Sequence, residues 1–127
     1  MKYYPMEENK VLIKSFIEEV FNKHNLTAAD KYIAAAPGRE GFKQMMNRLF
    51  LAFPDIHGTV EHILAEDNLV VVYLNWTGNH KGVFQGIPPT DKPITIRSAD
   101  LYRIENSKIV EHWDVVDYSN LRLPPQA

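Results

Sequence analysis

The feature that most limits what this chain can become is a change of hydrophobic period at Pro54. Before it, apolar residues recur with helical spacing; beyond it, they alternate. Phe42, Met45, Met46, Leu49 and Phe53 stand at i, i+3, i+4, i+7 and i+11. That stripe predicts a helix that ends where Pro54 removes a backbone donor. Upstream, Val11, Leu12, Phe16, Val20 and Phe21 recur in the same way among Glu7, Glu8, Glu18 and Glu19, so a first helix is expected from about Met6 to His24. Thr27, with Asp30 three residues later, resembles an N-cap with an acidic partner. It predicts a short second helix through about Ala35, stopped at Pro37-Gly38.

Past Pro54 the same reasoning gives strands. Residues 56–65 and 69–80 flank a turn at Glu66-Asp67-Asn68, and the run Val70-Val71-Val72-Tyr73-Leu74 suggests burial on both faces. Glycines and prolines mark residues 81–91 as an ordered excursion between strands. Helices followed by long antiparallel strands predict an α+β fold, with three N-terminal helices covering one face of a curved sheet of about four strands. At 127 residues, 45% of them apolar, the chain fits one domain that can enclose a core and a small pocket.

Residues 94–117 carry the chemistry. β-branched and aromatic residues alternate with charges on either side of Asn106-Ser107, which reads as a hairpin. Opposite charges across a pair of strands stabilise it by roughly 0.2–1 kcal/mol, so charge can choose the register. A three-residue loop of Asn106, Ser107 and Lys108 sets Glu105 against Ile109, Arg103 against Glu111 and Arg97 against Asp117. On the other face, Ser98, Asp100, Tyr102 and Ile104 then oppose Val116, Asp114, His112 and Val110. Asp100 confronts Asp114. Such a like-charge pair in an otherwise consistent hairpin is expected at a functional site, whereas an even loop would separate the two carboxylates. Two facing carboxylates can divide acid and base roles, with His112 beside them as a second proton carrier.

The concave face would enclose a cavity lined by Ser98, Asp100, Tyr102, His112 and Asp114. The long strand adds one alternate set, either Val72, Leu74, Trp76 and His80 or Tyr73, Asn75 and Thr77. The first set is preferred because ligand cavities are mostly apolar. Met45 and Met46 suit the filling of irregular core gaps, while Met46 and Phe53 are also the third helix's candidates for touching a ligand. Trp113 and Leu101 fall on the outer face, where an exposed apolar patch predicts a homodimer or higher symmetric oligomer.

Several classes are disfavoured. Net charge is −2 with no basic run, which argues against nucleic acid and anionic membranes as partners. The chain has no cysteine, which removes disulfides, thiol nucleophiles and thiolate metal sites and is compatible with the cytoplasm. Its histidines show no metal-ligand spacing, so no metal is expected. The first residues lack the apolar core of a signal peptide and no apolar run approaches membrane-spanning length, so a soluble cytoplasmic protein is expected.

Four segments carry a family resemblance: Pro37-Gly38-Arg39-Glu40-Gly41-Phe42; Phe53-Pro54-Asp55; Gly78-Asn79-His80-Lys81-Gly82 with Phe84-Gln85-Gly86-Ile87-Pro88-Pro89-Thr90; and Tyr102-Arg103-Ile104 with Glu111-His112-Trp113-Asp114-Val115-Val116-Asp117. Together they resemble the SnoaL-like polyketide cyclases, of the cone-shaped nuclear-transport-factor-like α+β fold. The resemblance implies ring closure in a small hydrophobic or polycyclic ligand by intramolecular aldol condensation, with neither metal nor organic cofactor. It implies a general acid/base aspartate at Asp114, with Asp117 as the second candidate. The family's pocket histidine on the preceding strand falls at Asp100. Its Asp-Tyr-x-x-His segment between the second and third helices is missing here, where Asp30-Lys31-Tyr32-Ile33 runs on into Pro37-Gly38. A non-catalytic ligand-binding protein on the same fold is the alternative expectation.

Overall fold

Pro54 divides the folded chain as it divides the sequence. In the computed structural model, which describes residues 2–35 and 38–121, helices precede it and strands follow. The first helix, α1 (Met6–Phe16), continues as a π-helical stretch, Ile17–Asn22. The wider π turn brings Phe16, Ile17, Val20 and Phe21 all to the buried side. The buried face therefore runs through Ile13, and Val11, expected on it, is exposed. The helix ends at Asn22, whose carboxamide takes the place of a strand: it donates to Gly58 O at 3.0 Å and accepts from Gly58 N at 2.7 Å.

The second helix is shorter than expected. A 3₁₀ turn, Leu26–Ala28, leads into α2 (Ala29–Tyr32). Thr27 lies inside that turn and donates to Asn25 Oδ1 at 2.7 Å, so it is not an N-cap. The helix stops before Ala35 because Ile33 turns extended and pairs with Ile109, and Ala34 N donates to Ile109 O at 2.9 Å. Pro37, the expected stop, lies outside the described residues. The third helix, α3 (Arg39–Ala52), ends one residue before Phe53, as Pro54 requires.

The strands β1 (His57–Glu66), β2 (Leu69–Asn79), β3 (Pro93–Glu105) and β4 (Lys108–Asp117) form one antiparallel sheet in chain order. The expected α+β class, three helices on a four-stranded sheet, is what the chain adopts. Glu66 pairs with Leu69, so the first turn is the two residues Asp67-Asn68 rather than three. One face of the sheet is dry: Val70, Val72, Leu74 and Trp76 of β2, not the alternative set with Tyr73 and Thr77, lie beneath the helices. Phe16 anchors the layer, its ring 5.6 Å from Phe42 and 5.9 Å from Tyr102. Burial of such a side chain contributes about 2 kcal/mol. The opposite face leaves Trp113, Val115 and Leu64 exposed. Among the described residues, no helix is long and apolar enough to cross a membrane. The tail with Pro124-Pro125 lies outside the described residues.

The β3–β4 register is the expected one along the site, reached by a different route. Asn106 and Ser107 alone form the turn, both with positive φ (50° and 59°), as a tight type I′ hairpin requires. Ile104 therefore faces Ile109 and Glu105 faces Lys108, correcting the expected pairs with Val110 and Ile109. A bulge at Val110 then adds one residue to β4 and restores the offset. Beyond it Arg103 faces Glu111, Tyr102 faces His112, Asp100 faces Asp114 and Arg97 faces Asp117.

Candidate active site

The hairpin delivers three titratable groups to one place. Asp100, on the dry face of β3, is 6% exposed, a burial that a carboxylate tolerates only with partners. It has them on both oxygens. Ser98 donates to Oδ2 at 2.6 Å, and His112 Nε2 stands 2.8 Å from Oδ1. Ser98 accepts in turn from Trp76 Nε1 at 2.9 Å, so a chain runs from buried Trp76 on β2 through β3 to the more exposed His112 on β4. Tyr102 lies flat against the His112 ring, 4.6 Å between centroids and 9° between planes. Burial first, and then the charges of Asp100 and Asp114, push the Tyr102 phenol well above its usual range. It stays protonated.

Asp114, across from Asp100, faces the same cavity but is open to solvent. Ligand-type atoms of Asp100, His112 and Asp114 all lie within 4.8 Å of one another, a spacing that could also hold a divalent cation. No linear ligand motif announces it, because the three residues meet across a hairpin.

The cavity holds about 500 Å³ and lies between the sheet, α3 and the loop after β2. Its walls are mostly apolar, with Phe21, Phe42, Met45 and Trp76 among them, and its polar groups gather around Asp100, His112 and Asp114, with Ser98 and Tyr102 alongside. That is the composition of a small-molecule site. A neighbouring cavity of about 340 Å³ shares Phe42, Met45, Tyr102 and His112 with it and is lined also by Ile33, Ala34 and Gly38.

The other residues named from sequence fall elsewhere. Leu74, Met46 and Phe53 are fully buried in the core and do not line the cavity. His80 sits just past β2 with no exposure, its Nδ1 3.2 Å from Thr90 Oγ1 and its ring 5.3 Å from Phe53, where it anchors the following loop. Asp117 stands opposite Arg97, on the face away from the cavity. Arg97 also pairs with Glu61. Of the methionines it is Met45 that reaches the cavity. Arg48, Gln85 and Tyr118 line it too, and sequence reasoning missed them. A helical stripe does not say which of two adjacent methionines sits at its edge, and nothing local marks Gln85 or Tyr118.

A family model for SnoaL-like polyketide cyclases matches residues 11–123. The chain belongs to the SnoaL-like polyketide cyclase family. Solved structures with the same fold include AclR, a candidate hydroxylase from Streptomyces galilaeus, at 26% identity, covering 91% of this chain and 79% of that one with a TM-score of 0.82. A candidate polyketide cyclase from Acidithiobacillus ferrooxidans shares 29% identity over 89% of this chain and 90% of its own, with a TM-score of 0.79. A SnoaL-like protein from Jannaschia sp. CCS1, at 19% identity, covers 98% of this chain and 99% of its own with a TM-score of 0.83, which speaks to the fold alone. No protein of curated function matches the chain. In this SnoaL-like chain His112 on β4 brings an imidazole to Asp100 on β3.

Proposed function

We propose that this chain, acting as one domain, is a cofactor-independent cyclase that enolises a small cyclic ketone or ester and closes a ring by intramolecular aldol addition. The observation that carries the reading is the Ser98–Asp100–His112 chain beside a solvent-open Asp114 in an apolar cavity. Asp100 accepts from Ser98 on one oxygen and meets His112 Nε2 with the other, so it positions the imidazole. Asp114 is then the free carboxylate, placed to remove a proton α to a carbonyl. The new carbon–carbon bond leaves an alkoxide, to which Asp114 returns the proton it took, so the carboxylate is restored and the reaction is a net isomerisation. Trp76, Phe42 and Met45 supply the apolar walls for a polycyclic ligand and keep water from the enolate.

The test is exchange of the α-protons of 2-tetralone for deuterium, followed by NMR. Wild type should accelerate exchange, and Asp114→Asn should lower that rate by about 10²-fold or more while leaving the fold intact. Exchange equal in both would leave only the second reading, a ligand-binding protein without turnover; the Asp in place of the family's β3 histidine is what favours that alternative. The proposal extends to a cytoplasmic setting, compatible with the absence of cysteine. It extends also to a homodimer formed through the outer sheet face, supported by the exposure of Trp113 and Val115 there.

A further inference from the structure

An intramolecular aldol addition develops charge on two oxygens, one on the enolised carbonyl and one on the carbonyl that is attacked. The Asp100–His112 pair serves one of them. Trp76 and Ser98 are committed to their own chain, and Tyr102, stacked on His112, belongs to the same end of the site. We propose that the phenol of Tyr118, set by the carboxamide of Gln85, donates the hydrogen bond that holds the second substrate oxygen. This rests on the enolisation reading above.

Two independent features lead there. Tyr118 follows β4 directly, is half-buried, and lines the cavity that holds Asp114. Its ring packs 5.8 Å from that of Phe84. Phe84 and Ile87 close a miniature hairpin through reciprocal backbone bonds of 3.0 and 2.8 Å, with Gln85 and Gly86 as its two turn residues. Both have positive φ, 49° and 78°. Such turns favour Gly, Asn or Asp at the first position, where a longer side chain is strained. The turn holds Gln85 in that conformation, and its side chain lines the cavity beside Tyr118. Burial raises the phenol's proton affinity, Gln85 works against the rise, and the negative charges of Asp114 and Asp100 add to it. At neutral pH Tyr118 is therefore a donor and not a base.

Binding of 2-naphthol, whose oxygen stands in for an enolate, can be compared with that of naphthalene by calorimetry on the full chain. Tyr118→Phe should weaken 2-naphthol roughly tenfold and leave naphthalene within about twofold, the loss of one hydrogen bond to a polarised oxygen. Gln85→Gly relieves the left-handed strain, so it should fold at least as well as wild type and still weaken 2-naphthol in the same direction. Equal 2-naphthol affinity in wild type and Tyr118→Phe overturns the proposal, as does a loss seen with Arg48→Ala but not with Tyr118→Phe. If Asp114→Asn meanwhile abolishes 2-tetralone exchange, Tyr118 alone is at fault. If neither naphthalene nor 2-naphthol binds wild type, the ligand cavity and this proposal fall together.

Discussion

Replacing Ser98 by Ala deletes one oxygen and breaks two buried hydrogen bonds. The first, to Asp100 Oδ2 at 2.6 Å, has a charged acceptor and contributes about 1.5–3 kcal/mol. The second leaves Trp76 Nε1 without the acceptor it has at 2.9 Å, which costs about 1–3 kcal/mol for a buried donor. Both residues line the cavity, so water can re-enter and recover part of the loss. The expected destabilisation is therefore about 3 kcal/mol, a large share of the roughly 5–15 kcal/mol typical of a whole domain. For a chain of 127 residues it corresponds to a fall in Tm of roughly 10 °C. Urea unfolding followed by circular dichroism measures it. Trp76→Phe and the double variant complete a cycle whose coupling should reach about 1 kcal/mol. A loss below about 1 kcal/mol with additive single variants would refute the idea that this chain holds Asp100 in place.

Three further outcomes follow from the same coordinates. A Cβ at Gly82 would overlap the carbonyl oxygen of Leu51 at the end of α3, so Gly82→Ala should lift the loop that carries Gln85, cost about 2 kcal/mol in chemical denaturation and raise amide exchange across residues 81–91. Asp55 accepts from Asn79 N and Nδ2 at 2.8 and 2.6 Å, and those bonds hold its carboxyl below the usual range. A depressed folded pKa stabilises above the unfolded value near 4 and is lost as pH falls through the folded one; Asp55→Ala should cost about 1 kcal/mol at pH 7, and the difference should shrink in acid-unfolding curves as pH falls below the ordinary carboxylate range. Trp113 stands opposite Leu101 on the exposed face, so light scattering should find a dimer that Trp113→Lys converts to monomer, and a wild-type monomer at high micromolar concentration would remove the interface.

The fold was legible because period is a property of every residue in an element, and Pro54 separated the two periods cleanly. The second helix was not. Its end is decided by Ile33 pairing with Ile109, a contact between residues far apart in sequence that no local propensity reports. The register of β3 and β4 occupies a middle position. Charge fixed which residues face one another from Arg97 to Arg103, yet the three-residue loop inferred from that offset is in fact a two-residue turn plus a bulge at Val110. Both devices add one residue to β4, and alternation is sensitive only to that sum. The facing of Asp100 and Asp114 was therefore visible while the means of building it was hidden.

The same parity argument explains how the histidine beside the carboxylates can differ in place from what the family resemblance implies. On one face of an antiparallel pair, a residue meets its direct partner and also the diagonal neighbour two residues along. Asp100 faces Asp114 directly and reaches His112 diagonally at 2.8 Å. An imidazole on β3 beside a carboxylate on β4 and an imidazole on β4 beside a carboxylate on β3 are thus equivalent in what they bring to the cavity. What changes is the second carboxylate: with the histidine on β4, Asp100 becomes the buried, doubly bonded partner and Asp114 is left free to meet the ligand. On the proposed enolisation, that difference from what the resemblance implies divides the labour between two aspartates without emptying the site.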